Sequence, residues 1–505
     1  MKQTFHQLIG RLRKFDSHIV RVDTQRATVS IIVAAAVLFV PLFSAWQVTR
    51  GAAGAAAPQT IAMSTNPAPW EPIFSVRRVA RTVAIEARVD NVRSRLAALS
   101  STLPADSCLV VRAEARAVAD VRPGRELIPA SNMKLLVAAA ALDVLGADYR
   151  FTTSVIGTRA GANVLGNLWL VGGGDPLLST RAYPVTQIYP TLAPTYLDSL
   201  ADALADTGIV SVTGSVVGDE SRYDDERYVP TWGDGIRSIE AGPLGALMVD
   251  DGVLVGEPFK PANPAVGAAT AFTRLLAARN VRVFATPRSG LVSTAPASAT
   301  EIARITSAPL STILVDLLTN SDNNAAELLL KEIGLVRKQT PTRVAGLQVV
   351  AEVLEARGIN TAGVVLSDGS GLDSGNRLSC ALLVTLLESY GLDSPLGQAL
   401  AVAGTSGTLR DQLTTSPARG RLLAKTGTLR LVKSLSGFFP ISETSRAGGA
   451  TNGGDRQSTM TFSLILNGAG VSNQTAYRPI WSDLMQAMSA FSNEPETADL
   501  LPRQP

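Results

Sequence analysis

Histidine is confined to His6 and His18, and none follows in the rest of the 505-residue chain. A serine nucleophile anywhere beyond His18 therefore has no imidazole to activate it, and a zinc site would have to be built from carboxylates alone, for which no suitable cluster stands out. Cysteine is almost as scarce. Cys108 and Cys380 are the only two, which excludes a cysteine metal cluster and leaves either one disulfide or two buried thiols. Charge is missing altogether between Arg26 and Arg50. That apolar run is long enough to cross a bilayer, since a spanning helix needs about 20 such residues. Lys2, Arg11, Arg13, Lys14, Arg21 and Arg26 outnumber Asp16 and Asp23 before it, which keeps that flank cytoplasmic and places the remainder outside. A cleaved secretory signal is the rival, because Gly51 to Ala57 supplies small residues of the kind a signal peptidase accepts. The length of the span favours an uncleaved anchor. The formal charge of +3 is carried by the short basic tail, so nothing indicates nucleic acid.

What is present begins with an Ala, Gly and Pro-rich stalk from Gly51 to about Pro72. Val89, Val92, Leu96 and Leu99 follow at helical spacing. Cys108–Arg112 and Ala115–Ala119 then read as a hairpin leading to Ser131-Asn132-Met133-Lys134. Leu135 to Leu145 is nearly all Ala, Leu and Val, so Ser131 opens a buried helix with Lys134 on the same face, where its amine reaches the serine hydroxyl. A serine three before a lysine means little by itself. A lysine in an otherwise apolar helix means more. Two further elements follow in order, Ser321-Asp322-Asn323 and Lys425-Thr426-Gly427-Thr428. As a bare tripeptide the former would be a cap or turn, because Ser, Asp and Asn favour such places. The long gap from Ser131 to Ser321 implies an inserted domain with strands at Phe151–Val155, Leu168–Val171 and Ile209–Val217, returning near Ala265 in a helix that includes Leu275 and Leu276. Gly172-Gly173-Gly174 within it is read as a tight turn, since no phosphate-binding sequence follows it. Helices are expected at Thr342–Arg357, Leu378–Leu392 and Arg478–Phe491, strands at Leu435–Phe439 and Phe462–Leu466, and a glycine-rich loop from Ser442 to Ser458.

These elements, with Ile128-Pro129-Ala130, Gly174-Asp175-Pro176, Ser367-Asp368-Gly369-Ser370-Gly371-Leu372 and Gly420-Arg421-Leu422-Leu423-Ala424, make the chain resemble the D-alanyl-D-alanine carboxypeptidase/endopeptidase family, the low-molecular-mass class C penicillin-binding proteins, from about Ile73 to Phe491. The resemblance implies an α+β fold of the penicilloyl-transferase type: an antiparallel sheet flanked by helices, plus an inserted α/β domain. The expected division is a cytoplasmic tail 1–26, an anchor or signal 27–49, a linker 50–72, a catalytic domain 73–147 and 265–493, an insert 148–264 and a tail 494–505. The insert looks shorter than in long family members, so substrate contacts made there by relatives are not carried over.

By the same resemblance Ser131 attacks the carbonyl of a terminal D-Ala-D-Ala bond and Lys134 takes its proton. Ser321 and Lys425 relay a proton to the departing amine, Asn323 holds the substrate amide, and Thr426, Gly427 and Thr428 form the carboxylate-binding strand. Backbone N–H groups of Ser131 and Thr428 form the oxyanion hole. No cofactor or metal is called for. The implied partners are peptidoglycan peptides ending in D-Ala-D-Ala, β-lactams, and a membrane through the N-terminal anchor. Three alternatives stay open: a class A-like β-lactamase, for which Glu327 would have to activate water; an inactive wall-binding scaffold; and a transpeptidase.

Overall fold

The structure, a computed structural model, describes residues 76–113, 116–441 and 459–492. The expected anchor or signal 27–49, the linker 50–72, the loop Ser442 to Ser458 and the tail 494–505 lie outside them. Among the described residues no helix is long and apolar enough to cross a membrane.

The described chain opens with α1 (Val76–Thr102), whose Val89, Val92, Leu96 and Leu99 are buried as their spacing predicts. The hairpin β1 (Ser107–Ala113) and β2 (Arg116–Val121) follows, then α2 (Met133–Leu145). A second group of elements comes next: β3 (Thr152–Ala160), β4 (Asn163–Val171), α3 (Leu197–Asp206), β5 (Val216–Asp219), α4 (Pro264–Ala277) and β6 (Thr300–Thr306). The chain then builds α5 (Leu310–Thr319), α6 (Asn323–Lys338), α7 (Arg343–Ala356) and α8 (Cys380–Tyr390). It ends with β7 (Ala401–Val402), β8 (Leu423–Leu429), β9 (Val432–Pro440), β10 (Thr459–Asn467) and α9 (Gln474–Ser489).

The first sheet has the order β7-β8-β9-β10-β1-β2, every pairing antiparallel. Its two faces bury different things because strand side chains alternate. On β1, Cys108 and Val110 join a core made by α2, α5, α6, α7 and α8, while Leu109 and Val111 join one made by α1 and α9. The second sheet is mixed: β3 pairs antiparallel with both β4 and β6, whereas β5 runs parallel to β4.

The return of the chain expected at Ala265 falls on α4, which packs on the second sheet. Ala265, Ala268, Ala269, Phe272 and Leu276 of α4 fill the core of the second sheet with α3, and β6 still pairs with β3. An apolar helix face looks alike whichever sheet it covers. α9 also starts earlier than expected, with Pro479 inside it; a proline near a helix start costs a single backbone hydrogen bond and does not end the helix. The glycine run makes a close backbone approach. A Cβ on Gly173 would lie 2.0 Å from the Thr152 carbonyl oxygen, and one on Gly172 2.4 Å from that of Ala246.

Cys108 on β1 and Cys380 at the start of α8 form a disulfide that closes a loop across a sequence separation of 272. Both are fully buried. Unreduced, denatured protein should present no alkylatable thiol and reduced protein two, by mass analysis. Replacing both with alanine should cost about 2–5 kcal/mol of stability, measured by urea unfolding.

Candidate active site

Ser131 sits in a 3-10 turn (Ala130–Asn132) that feeds directly into α2. Two backbone features fix this turn. Ala130 has φ 50°, a left-handed conformation that a residue with a Cβ avoids, and Gly371 (φ 81°) packs against it so closely that a Cβ there would stand 1.9 Å from the Ala130 carbonyl oxygen. Polar contacts from β9 secure it further: Ser434 Oγ donates to the Pro129 carbonyl (2.8 Å) and Asn132 Nδ2 donates to Ser436 Oγ (2.9 Å).

Lys134, the only charged side chain in the first turns of α2, has no exposed surface. Its Nζ lies 3.1 Å from Ser131 Oγ, 2.7 Å from Asn323 Oδ1 and 2.6 Å from the Ser370 carbonyl oxygen. Burial lowers its pKa from 10.5 to about 8, against the pull of Asp368, Glu327, Asp322 and Glu240. The three contacts suit the neutral amine. Two of the acceptors are carbonyls that take its two N–H bonds, and the third is a hydroxyl that can donate to its lone pair.

Ser321 ends the loop between α5 and α6 with φ 67°, and Asp322 caps α6 by accepting from the Ala325 N–H. That places Ser321 and Asn323 together. Lys425 on β8 donates to Ser321 Oγ (2.8 Å) and to the Thr426 carbonyl (2.9 Å). Fully buried and with no carboxylate paired to it among the described residues, Lys425 is held well below its ordinary pKa by burial, then by the charges of Lys134 and Lys433. Gly427 lies against the nucleophile turn, where a Cβ would stand 2.8 Å from the Pro129 carbonyl. β7 pairs only with Leu423 and Ala424, so β8 has no strand partner on its outer side from Lys425 onward. The two threonines differ. Thr426 is buried and donates to Thr408 Oγ1 (2.8 Å), whereas Thr428 is exposed and its Oγ1 accepts from Lys433 (2.9 Å). Asn323 Nδ2 gives one of its two N–H bonds to the Glu240 carbonyl (2.9 Å), which leaves the other for a substrate amide. A cavity of about 510 Å³ adjoins Ser321 and Asn323 and is lined also by Tyr189, Glu240, Asp251 and Lys260.

Several members of the site carried no role in the sequence. The Ser370 carbonyl reaches Lys134 because two buried carboxylates hold its loop. Glu327 Oε1 accepts from the Gly369 and Ser370 N–H groups (3.0 and 2.7 Å), and Asp368 accepts from the N–H groups of Gly371 and Asp373 and from Asn376 Nδ2. Trp232, from the segment between β5 and α4, donates its indole N–H to Asp368 Oδ2 (2.9 Å). Burial, with Asp368 second, lifts Glu327 to about 7. A β-lactamase-type role for Glu327 is thus opposed by its burial and by its bonds to the loop backbone. The signal for this part was Ser367-Asp368-Gly369-Ser370-Gly371, a polar run that is almost wholly buried. Among the described residues no group of side chains could hold a metal ion.

The sequence matches the D-Ala-D-Ala carboxypeptidase 3 (S13) family over residues 91–289 and 255–490. It is 32% identical over 413 residues to a D-alanyl-D-alanine carboxypeptidase of Actinomadura, covering 66% of this chain and 74% of that protein. A carboxypeptidase of Mycobacterium tuberculosis is 31% identical over 360 residues, 69% of this chain and 73% of its own. The fold is similar to that of penicillin binding protein 4 from Haemophilus influenzae, with a TM-score of 0.64 at 20% identity over 78% of this chain and 99% of that one; the latter protein has also been seen in complex with a β-lactam. With a match that spans most of its length and relatives of this identity, the chain belongs to the D-Ala-D-Ala carboxypeptidase 3 (S13) family.

Proposed function

We propose that this protein is a serine D-Ala-D-Ala carboxypeptidase that trims peptidoglycan stem peptides through an acyl-enzyme on Ser131. The observation that carries this is the buried Lys134 amine 3.1 Å from Ser131 Oγ, with no other side chain bonded to that oxygen among the described residues. Neutral Lys134 takes the hydroxyl proton as Oγ attacks the penultimate D-Ala carbonyl. The oxyanion sits against the backbone N–H groups of Ser131 and Thr428. Ser321 passes its proton to the amine of the departing D-Ala and takes one from Lys425, and the C–N bond breaks; on hydrolysis the proton of the attacking water restores Lys425 while Lys134 returns its proton to Ser131. Water then attacks the ester to release the shortened peptide. Penicillin, which presents an amide and a carboxylate in the same relation, acylates the same serine. The open edge of β8 also favours D,D-endopeptidase action, since a backbone can continue along it.

We also propose a single-pass anchor over residues 27–49 with the catalytic part outside the cytoplasm, supported by the basic flank before Arg26 and by the Cys108–Cys380 bond, which suits an oxidising compartment. The inserted domain is proposed to run to Thr306 and not to stop before Ala265, a reading supported by the packing of α4 and the pairing of β6.

Three outcomes are expected. Fluorescent penicillin should label Ser131, located by peptide mass mapping; Ser131→Ala should remove the label, and Lys134→Ala or Ser321→Ala should slow acylation by about 100-fold or more. The second-order acylation rate should rise with pH until about 8, because Lys134 must be neutral to act and its pKa lies there; a flat profile from pH 6 to 9 would contradict Lys134 as base. Protease shaving of intact cells should remove the domain that contains Ser131, and its protection would contradict the orientation.

A further inference from the structure

Lys433 is a buried cation that the proposed reaction has not used. It lies on β9 directly across from Thr428 in the β8–β9 register, is only 8% exposed, and donates its Nζ–H to Thr428 Oγ1 (2.9 Å). Its ammonium stands over two aromatic faces of α9, 4.1 Å from the Tyr477 ring centroid and 5.0 Å from that of Trp481. Such faces hold a cation without cancelling its charge. No carboxylate pairs with it among the described residues, and its other charged neighbour, Arg478, is also positive. Burial, then Arg478, lowers Lys433 to about 8, so it is still mostly protonated at neutral pH.

The consequence falls on Thr428. A threonine hydroxyl has one hydrogen to give and two lone pairs. With one lone pair fixed by an ammonium donor, the oxygen cannot turn its hydrogen toward Lys433, and that hydrogen has no partner among the described residues. We propose that Lys433 is a positioning residue for carboxylate recognition: it orients the Thr428 hydroxyl as a donor to the C-terminal carboxylate of the substrate and leaves an uncompensated positive charge behind it. This rests on the carboxypeptidase reading above, and makes Thr428, more than the buried and already bonded Thr426, the side chain that senses the terminal carboxylate.

The test compares an acylated Lys-D-Ala-D-Ala peptide with the same peptide carrying a C-terminal amide, on wild type, Lys433→Met, Thr428→Val and the double variant. Methionine keeps a long side chain against Tyr477 and Trp481. Lys433→Met should lower kcat/KM for the free carboxylate by about tenfold, mainly through KM, and change the amide by less than about twofold, as expected for loss of a charge-assisted hydrogen bond. The double variant should be no worse than Thr428→Val, and Lys433→Arg should retain the preference for the carboxylate. Equal losses on both peptides, or additive losses in the double variant, would overturn the proposal. Should Lys433→Met fail to fold, Thr428→Val at its exposed site decides: retention of the wild-type carboxylate preference there overturns it. Penicillin labelling of wild-type Ser131 separates the two levels. No label overturns the carboxypeptidase reading together with this one, whereas normal label with equal losses overturns only the role of Lys433.

Discussion

Placing the amine of Lys134 out of water is the constraint around which the site is arranged. An ammonium ion there would lose its hydration and find only two carbonyls and a hydroxyl in return, with the nearest carboxylates engaged elsewhere. Burial thus shifts Lys134 toward the neutral form, with a pKa lowered to about 8. Glu327 and Asp368 act in opposition to this, since their negative charge favours the protonated lysine, yet both are spent on backbone N–H groups of the loop that presents the Ser370 carbonyl. Burial is what opposes them, and the charge of Lys134 in turn lowers the pKa of Lys425, a second amine in the same dry region. The balance leaves Lys134 able to gain and lose a proton within the ordinary range of pH, as an acid and base in turn must do.

The geometry that sustains this balance comes from both sheets. Glu332 on α6 receives Arg222 and the Tyr149 and Tyr223 hydroxyls, and the neighbouring Lys331 and Arg343 pair with Asp224 and Glu226. Ion pairs in such places add little net stability over apolar packing, but removing one partner would strand the other. Their effect is to give the segment from Arg222 to Glu240 a single seat on the helical core. From that seat Trp232 reaches Asp368 and the Glu240 carbonyl reaches Asn323. The segment from Arg222 to Glu240, between α2 and α5, is therefore part of the wall of the site.

Much of this was legible in the sequence, and the parts that were not share a cause. Ser131 and Lys134 were readable because helix spacing converts an interval of three residues into a contact. Ser321, Asn323 and Lys425 were readable by the order of their short motifs, and the structure brings all three to Lys134 or to one another. The carbonyl of Ser370 and the indole of Trp232 were not readable, because a backbone acceptor has no residue signature and Trp232 lies far along the chain from Asp368. The division between Thr426 and Thr428 depends on Thr408 and Lys433, one on a neighbouring turn and one on the next strand. The end of the insert is hard to read for a different reason: an amphipathic helix such as α4 states that it has an apolar face but not which sheet receives it.

The order of strands in the first sheet has a bearing on how the chain acquires its shape. β1, among the first elements made, pairs on one side with β2 but on the other with β10, the last strand among the described residues. Nothing earlier can take that place, so the sheet stays incomplete until the final tenth or so of the polypeptide has emerged. Contacts so remote in sequence make folding slow. Through that interval β1 offers an unpaired edge with both faces apolar, the kind of surface that seeks other chains. Truncation of the C-terminal region would do more than trim an end: it would remove a middle strand of the sheet, β10, and leave β9 and β1 each with one unpaired edge.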